Sequence, residues 1–145
     1  MPPAGSIAQR FSGSNETADH PTLTRNLARV PAEQIGIPFV VVIEQLRGRF
    51  DAYLKAEPEN LLREQERLLA AQQFLSIYQT IYVNEQAVAE LVALRSRVST
   101  RKRYADVMIA AMALAGGDIV VTRNVDDFHD LLPADRIQNW IDQAY

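Results

Sequence analysis

Two unbroken apolar runs dominate the chain, Ile37-Pro38-Phe39-Val40-Val41-Val42-Ile43 and Ile119-Val120-Val121, the second framed by Asp118 and Thr122. A strand wetted on one face alternates apolar with polar residues. A run without alternation, rich in β-branched side chains, fits a strand buried on both faces of a helix-covered parallel sheet. Around these runs the spacing is helical. Leu46, Phe50, Tyr53 and Leu54 form a stripe that Glu57-Pro58-Glu59-Asn60 interrupts. Residues 61–78 continue it, with Leu61, Leu68 and Leu75 near one face and Arg63, Glu64, Glu66 and Arg67 largely on the solvated side. Residues 23–30 form a shorter amphipathic piece, and 80–83 read as a short strand. Asn84 caps a helix that runs to about Arg97, its side chain accepting a free N–H of the first turn. Asp106 opens a helix over 107–115, which Gly116-Gly117 stops. Strands alternating with helices predict an α/β fold, a three-layer α/β/α arrangement with a mostly parallel sheet. The 145 residues suit a single domain, 1–145.

Composition narrows the chemistry. There are no cysteines, which excludes disulfides, thiolate metal sites and cysteine nucleophiles. Two histidines are too few for a His-rich zinc site. Fifteen Lys and Arg against eighteen Asp and Glu give a net charge of −3, so any contact with phosphates needs a local basic patch. The first twenty residues carry no basic leader followed by an apolar stretch, and no segment approaches the roughly 20 apolar residues of a membrane helix. The expectation is a cytoplasmic chain with no membrane contact. Carboxylates are left to carry the chemistry.

The acids fall where a parallel sheet binds ligands, beyond the carboxyl ends of its strands. Glu44 directly follows the first apolar run. Asn124, Asp126 and Asp127 follow the second, and Asp106 stands at the start of the helix that feeds it. Three segments thus offer oxygen ligands of the kind hard divalent cations prefer. Plainer readings stand beside this one: Asp106 as a helix cap, Glu44 as an acid favoured by a helix dipole, Asp126 and Asp127 as turn residues.

The stretch Asp106-Val107-Met108-Ile109-Ala110-Ala111-Met112-Ala113-Leu114-Ala115, followed by Ile119-Val120-Val121-Thr122-Arg123-Asn124-Val125-Asp126-Asp127-Phe128, resembles the closing signature of PIN-domain nucleases. Within them it is most similar to the VapC-type toxins of bacterial toxin–antitoxin pairs. Val42-Ile43-Glu44-Gln45-Leu46-Arg47-Gly48 is similar to the second motif of that family, and Arg136-Ile137-Gln138-Asn139-Trp140 to its usual ending. The resemblance covers about residues 21–140. It implies a three-layer PIN-like domain and a metal-dependent endoribonuclease, using Mg²⁺ or Mn²⁺, with an RNA substrate and a cognate antitoxin that keeps it silent. It carries the second acid of the family to Glu44, the third to Asp106, and the fourth polar position to Asn124, with Asp127 the neighbouring acid. Glu44, Asp106 and Asp127 are then the metal ligands. The basic stretch Arg95, Arg97, Arg101, Lys102 and Arg103 would lead the RNA backbone to the site, or is simply a solvated helix end. The apolar content of the helices between Leu46 and Tyr82 adds the expectation of a homodimer or an antitoxin complex.

One motif is missing. The family opens with a buried strand ending in a metal-binding Asp. Here Ile7-Ala8-Gln9-Arg10 resembles the helix that follows that Asp, and Glu16 and Asp19 lie beyond it. The expectation is a sheet without its central strand, its neighbours' edges unpaired. A chain that starts late and a degenerate copy both explain this, the intact remaining acids favouring the first. Two functions follow: a Mg²⁺-dependent ribonuclease, or a non-catalytic PIN-like remnant that binds an antitoxin or its own copy. A phosphorelay receiver would need a lysine after a late strand, and neither Lys55 nor Lys102 follows one.

Overall fold

Pro38 divides the first apolar run into two elements. The computed structural model describes residues 7–9, 21–99 and 103–143. In chain order these form strand β1 (Ile7–Gln9), helix α1 (Pro21–Ala28), strand β2 (Ile35–Pro38) and helices α2 (Phe39–Leu54) and α3 (Leu61–Ile77). Strand β3 (Gln79–Ile81), helices α4 (Glu85–Arg97) and α5 (Tyr104–Gly116), and strands β4 (Ile119–Val121) and β5 (Ile137–Gln138) complete the order. The strand expected over 37–43 therefore ends at Pro38, whose backbone is extended (φ −58°, ψ 139°), and the helix begins at the next residue. Pro38 has no N–H to donate, so it suits a strand end or a helix start better than a strand interior. Beyond it Phe39, Ile43, Leu46, Phe50 and Leu54 recur at intervals of three and four, the helical period.

Ile7-Ala8-Gln9, read from sequence as helical, is the middle strand. Ile7 and Ala8 pair with Ile35 and Gly36 on one side, and Ile7, Ala8 and Gln9 pair with Ile119, Val120 and Val121 on the other. The five strands run in the order β3-β2-β1-β4-β5, all parallel. Three residues are too short to show a period. Their conformation follows from the two strand edges that need partners, so the expected gap at the centre of the sheet is filled.

Neighbouring residues of a strand face opposite sides of the sheet, and both sides carry a core. Val120 belongs to the larger cluster, with Ile37, Val41, Leu75, Leu94, Val107, Ala110 and Phe128. Val121 belongs to a smaller one, with Leu23 of α1 and Trp140. The sheet is thus a middle layer in a helix-rich α/β fold. Helix α5 is buried at six apolar positions from Val107 to Met112 and Ala113, saving only Met108. It ends where Gly117 takes the left-handed conformation (φ 70°) that its lack of Cβ makes cheap. Asn84 caps α4 as its sequence predicts, Oδ1 accepting the Ala87 N–H at 2.9 Å. Among the described residues no helix is long and apolar enough to cross a membrane.

The C-terminal segment is fastened to α1 by one buried side chain. Asn26 Nδ2 donates to the carbonyls of Trp140 (3.1 Å) and Gln143 (2.7 Å). Removing the donor leaves carbonyls that were paired in a buried setting without it, a loss of roughly 2 kcal/mol. Asn26→Ala is accordingly expected to lower the urea midpoint by that free energy with an unchanged m-value, and an unaltered midpoint would show that the tail is held by Trp140 packing alone.

Candidate functional site

The topology determines which chain ends meet. In an all-parallel sheet the carboxyl ends of all strands lie on one edge. A helix that precedes a strand runs back against it, so the first turn of α5 lies at the edge where β4 ends. That turn carries Asp106, which is buried. Helix α5 starts at Tyr104, with Arg103 at its cap position, so Asp106 is the third helical residue and not the cap that opens the helix. Its carboxylate there is favoured by the unpaired N–H groups and the positive end of the helix dipole.

Beyond β4 the chain turns sharply. Thr122, buried, extends the ladder by donating its N–H to the Gln138 carbonyl (2.9 Å). Its Oγ1 accepts the Asn124 N–H at 3.0 Å. Val125–Phe128 form one 3₁₀ turn, with Asp127 N–H donating to the Asn124 carbonyl (3.1 Å). Phe128 is buried in the core and anchors the turn, while Asn124, Asp126 and Asp127 remain exposed above it. Glu44 differs most from expectation. It does not follow a strand: it is the sixth residue of α2, on the exposed side, and is separated from the strand end by more than a helical turn.

Arg103 joins two of these segments. Its guanidinium forks onto Asp130, Nη1 to Oδ2 and Nη2 to Oδ1, both at 2.8 Å. Nη2 also donates to the Asp127 carbonyl at 2.6 Å. The hydrogen bond to Asp130 raises the Arg103 pKa above its ordinary value, and the charges of Asp130, Asp106 and Asp127 add to this. The same hydrogen bond lowers the Asp130 pKa. Arg103 and Asp130 were not legible as a pair. Twenty-seven residues separate them, and in sequence Arg103 is one of a run of cations. Of that run Arg95 and Arg97 are exposed on the last turn of α4, and Arg101 and Lys102 lie outside the described residues.

The donor types suit a hard divalent cation: carboxylates of Asp106 and Asp127 and the amide oxygen of Asn124, with no thiol or imidazole among them. The number gathered is smaller than the sequence predicts. Among the described residues, no three His, Asp or Glu side chains lie together where they could hold an ion. Glu44, Asp106 and Asp127 therefore do not form one three-acid cluster here. The sequence after β1 reads Arg10-Phe11-Ser12 and offers no carboxylate before Glu16.

A parallel five-stranded sheet with polar residues collected at its carboxyl edge defines a class, and comparison with known proteins supplies the family. A family model described as PIN domain matches residues 11–131. The chain belongs to the PIN domain family. Its fold is similar to a chain of DNA-bound VapBC from Salmonella typhimurium (TM-score 0.71, 21% identity, covering 93% of this chain and 98% of that one). It is also similar to a chain of VapBC-1 from nontypeable Haemophilus influenzae (0.68, 17%, 92% and 98%) and to one of FitAcB from Neisseria gonorrhoeae (0.67, 21%, 94% and 99%). At these identities the likeness is one of fold. No curated protein matches the chain.

The lowered Asp130 pKa has a sign that can be checked. A carboxylate whose folded pKa is depressed contributes stability that is present above its unfolded value, near 4, and lost as pH falls through the folded value. Arg103 and Asp130 are 28% and 50% exposed, so the contribution is about 1 kcal/mol or less. Urea midpoints of the native chain and of Asp130→Asn are expected to differ at pH 6 and to converge below about pH 3. Parallel curves across that range would remove the ion pair as their cause.

Proposed function

We propose that this chain is a VapC-type PIN domain directed at RNA, whose oxygen ligands hold Mg²⁺ or Mn²⁺ weakly and whose activity is restrained by a partner antitoxin. The observation that carries the reading is the buried Asp106 in the first turn of α5, a turn whose cap residue Arg103 is hydrogen-bonded to the segment bearing Asn124 and Asp127. Asp106 and Asp127 are the acids that would hold the ion, with the Asn124 amide oxygen as a further donor and Glu44, exposed on α2, as the remaining candidate. A divalent ion there lowers the pKa of water and neutralises charge developing on a scissile phosphate. Arg95 and Arg97, exposed on the last turn of α4, supply cations for the RNA backbone in a chain whose net charge is −3.

A second reading, a non-catalytic PIN-like module that binds an antitoxin or its own copy, is favoured by one observation: the described residues gather no three-acid cluster. A protein ligand set this sparse fixes an ion poorly, and a misplacement of about 1 Å costs roughly a hundredfold in rate. Both readings share the partner. Phe39, Ile43, Phe50 and Leu54 form an exposed apolar stripe along α2, and Leu62 and Leu69 of α3 are exposed as well, a surface of the kind that a protein partner covers. The solved proteins similar in fold include one described as a toxin–antitoxin complex, from Klebsiella pneumoniae.

Calorimetry with Mn²⁺ is expected to show weak binding that Asp106→Asn reduces at least tenfold; equal binding by the two would remove Asp106 as a ligand. Single-turnover cleavage of a labelled RNA pool is expected to be slow, abolished by EDTA and absent in Asp106→Ala. Metal binding without any cleavage would select the binding module instead. Light scattering at micromolar concentration is expected to show a dimer, and a monodisperse monomer would leave the α2 stripe to the antitoxin alone.

A further inference from the structure

We propose that Arg103 is a positioning residue of this site, a clamp that fixes the turn bearing Asn124 and Asp127 against Asp106 on α5. The inference rests on reading Asp106 and Asp127 as ion-holding acids, and it assigns a task to a residue that the sequence places among generic cations. Arg103 is tied at both ends. Its carbonyl accepts the Val107 N–H at 3.0 Å, so its backbone belongs to the first turn of α5, the turn of Asp106. Its side chain crosses to the segment after β4, where one Nη2 serves both the Asp130 carboxylate and the Asp127 carbonyl.

The turn needs such a link. It is fastened below by Thr122 Oγ1 and beyond by the Phe128 carbonyl, which accepts the N–H groups of Leu131 and Leu132 at 3.0 Å each. Between these anchors Asp127 is exposed, and its carbonyl is held by Arg103. A planar guanidinium suits this role. It meets a carboxylate through two parallel N–H bonds and still has a donor for a third acceptor, which the compact ammonium of lysine does not reproduce. The ion pair adds little stability at this exposure, so its value is in geometry. Groups that orient metal ligands without touching the metal typically alter affinity by about 10- to 100-fold.

Arg103 is also a cation near two acids, and removing it alone would change charge as well as geometry. The test therefore compares Arg103→Lys, which keeps the charge and loses the fork, with the double variant Arg103→Ala/Asp130→Ala, which removes a pair of zero net charge. Mn²⁺ affinity is measured by calorimetry, melting curves confirm that each variant is folded, and amide NMR spectra are recorded without metal. Both variants are expected to bind Mn²⁺ about tenfold more weakly, with displaced resonances for Asp127 and Phe128 in the metal-free state. Native affinity in Arg103→Lys, or unchanged or tighter binding in the double variant, overturns the clamp. If the native chain and Asp106→Asn bind Mn²⁺ alike, the ion-holding reading fails; the metal-free spectra then decide Arg103 separately, and unmoved turn resonances overturn it.

Discussion

The rest of the structure depends on the burial of α5. Apolar residues on almost every side of that helix must be covered, and only the inside of a layered fold can do so. The sheet lies against it, α4 packs alongside, and Phe128, Leu131 and Leu132 close over it from the chain that follows β4. A helix enclosed this far has one polar end near the ligand edge of the sheet, and its first turn brings a carboxylate there. The location of Asp106 thus follows from the hydrophobic packing of Val107 to Ala113.

The electrostatics of that edge follow from the same placement. Asp106 stands on the first turn of α5 and Asp127 and Asp130 on the segment after β4, with a single guanidinium linking the two segments. Arg103 supplies that guanidinium, and its fork onto Asp130 holds its own pKa up and that of Asp130 down. The acids are therefore partly compensated by the protein itself. A divalent ion held there as proposed would meet a local charge smaller than the number of carboxylates suggests.

Periodicity made the long elements legible: α3, α4 and α5 lie where their apolar spacing puts them, with Asn84 and Gly117 capping as expected and Arg103 in place of Asp106 opening α5. Asp106, Asn124 and Asp127 could be named as candidates because they flank unmistakable elements, whereas Glu44, expected at a strand end, lies inside α2. Short segments were harder. The run 37–43 contains no polar residue to reveal a phase, and β-branched content favoured a strand until the ring of Pro38 ended it. The readable signal was the helical stripe through Phe50 and Leu54, which extends backward to Phe39. Ile7-Ala8-Gln9 had no signal of its own, its conformation being imposed by β2 and β4. Asp130, Asn26 and the fork of Arg103 were illegible because their partners are distant in sequence and near in space.

The fastening of the C-terminal segment has a consequence for how the chain comes into being. Asn26 holds Trp140 and Gln143 across 114 and 117 positions of sequence, and β1 pairs with β4 across almost the whole length. Such non-local contacts make folding slow, since the long loops must close before any reward is collected. During synthesis β1 meets β2 early, but its other edge and the Asn26 side chain wait for partners made more than a hundred residues later. Helices α1 to α5 all precede β4 in the chain, so the second half of the sheet and the fastening of Trp140 are the last parts to be assembled.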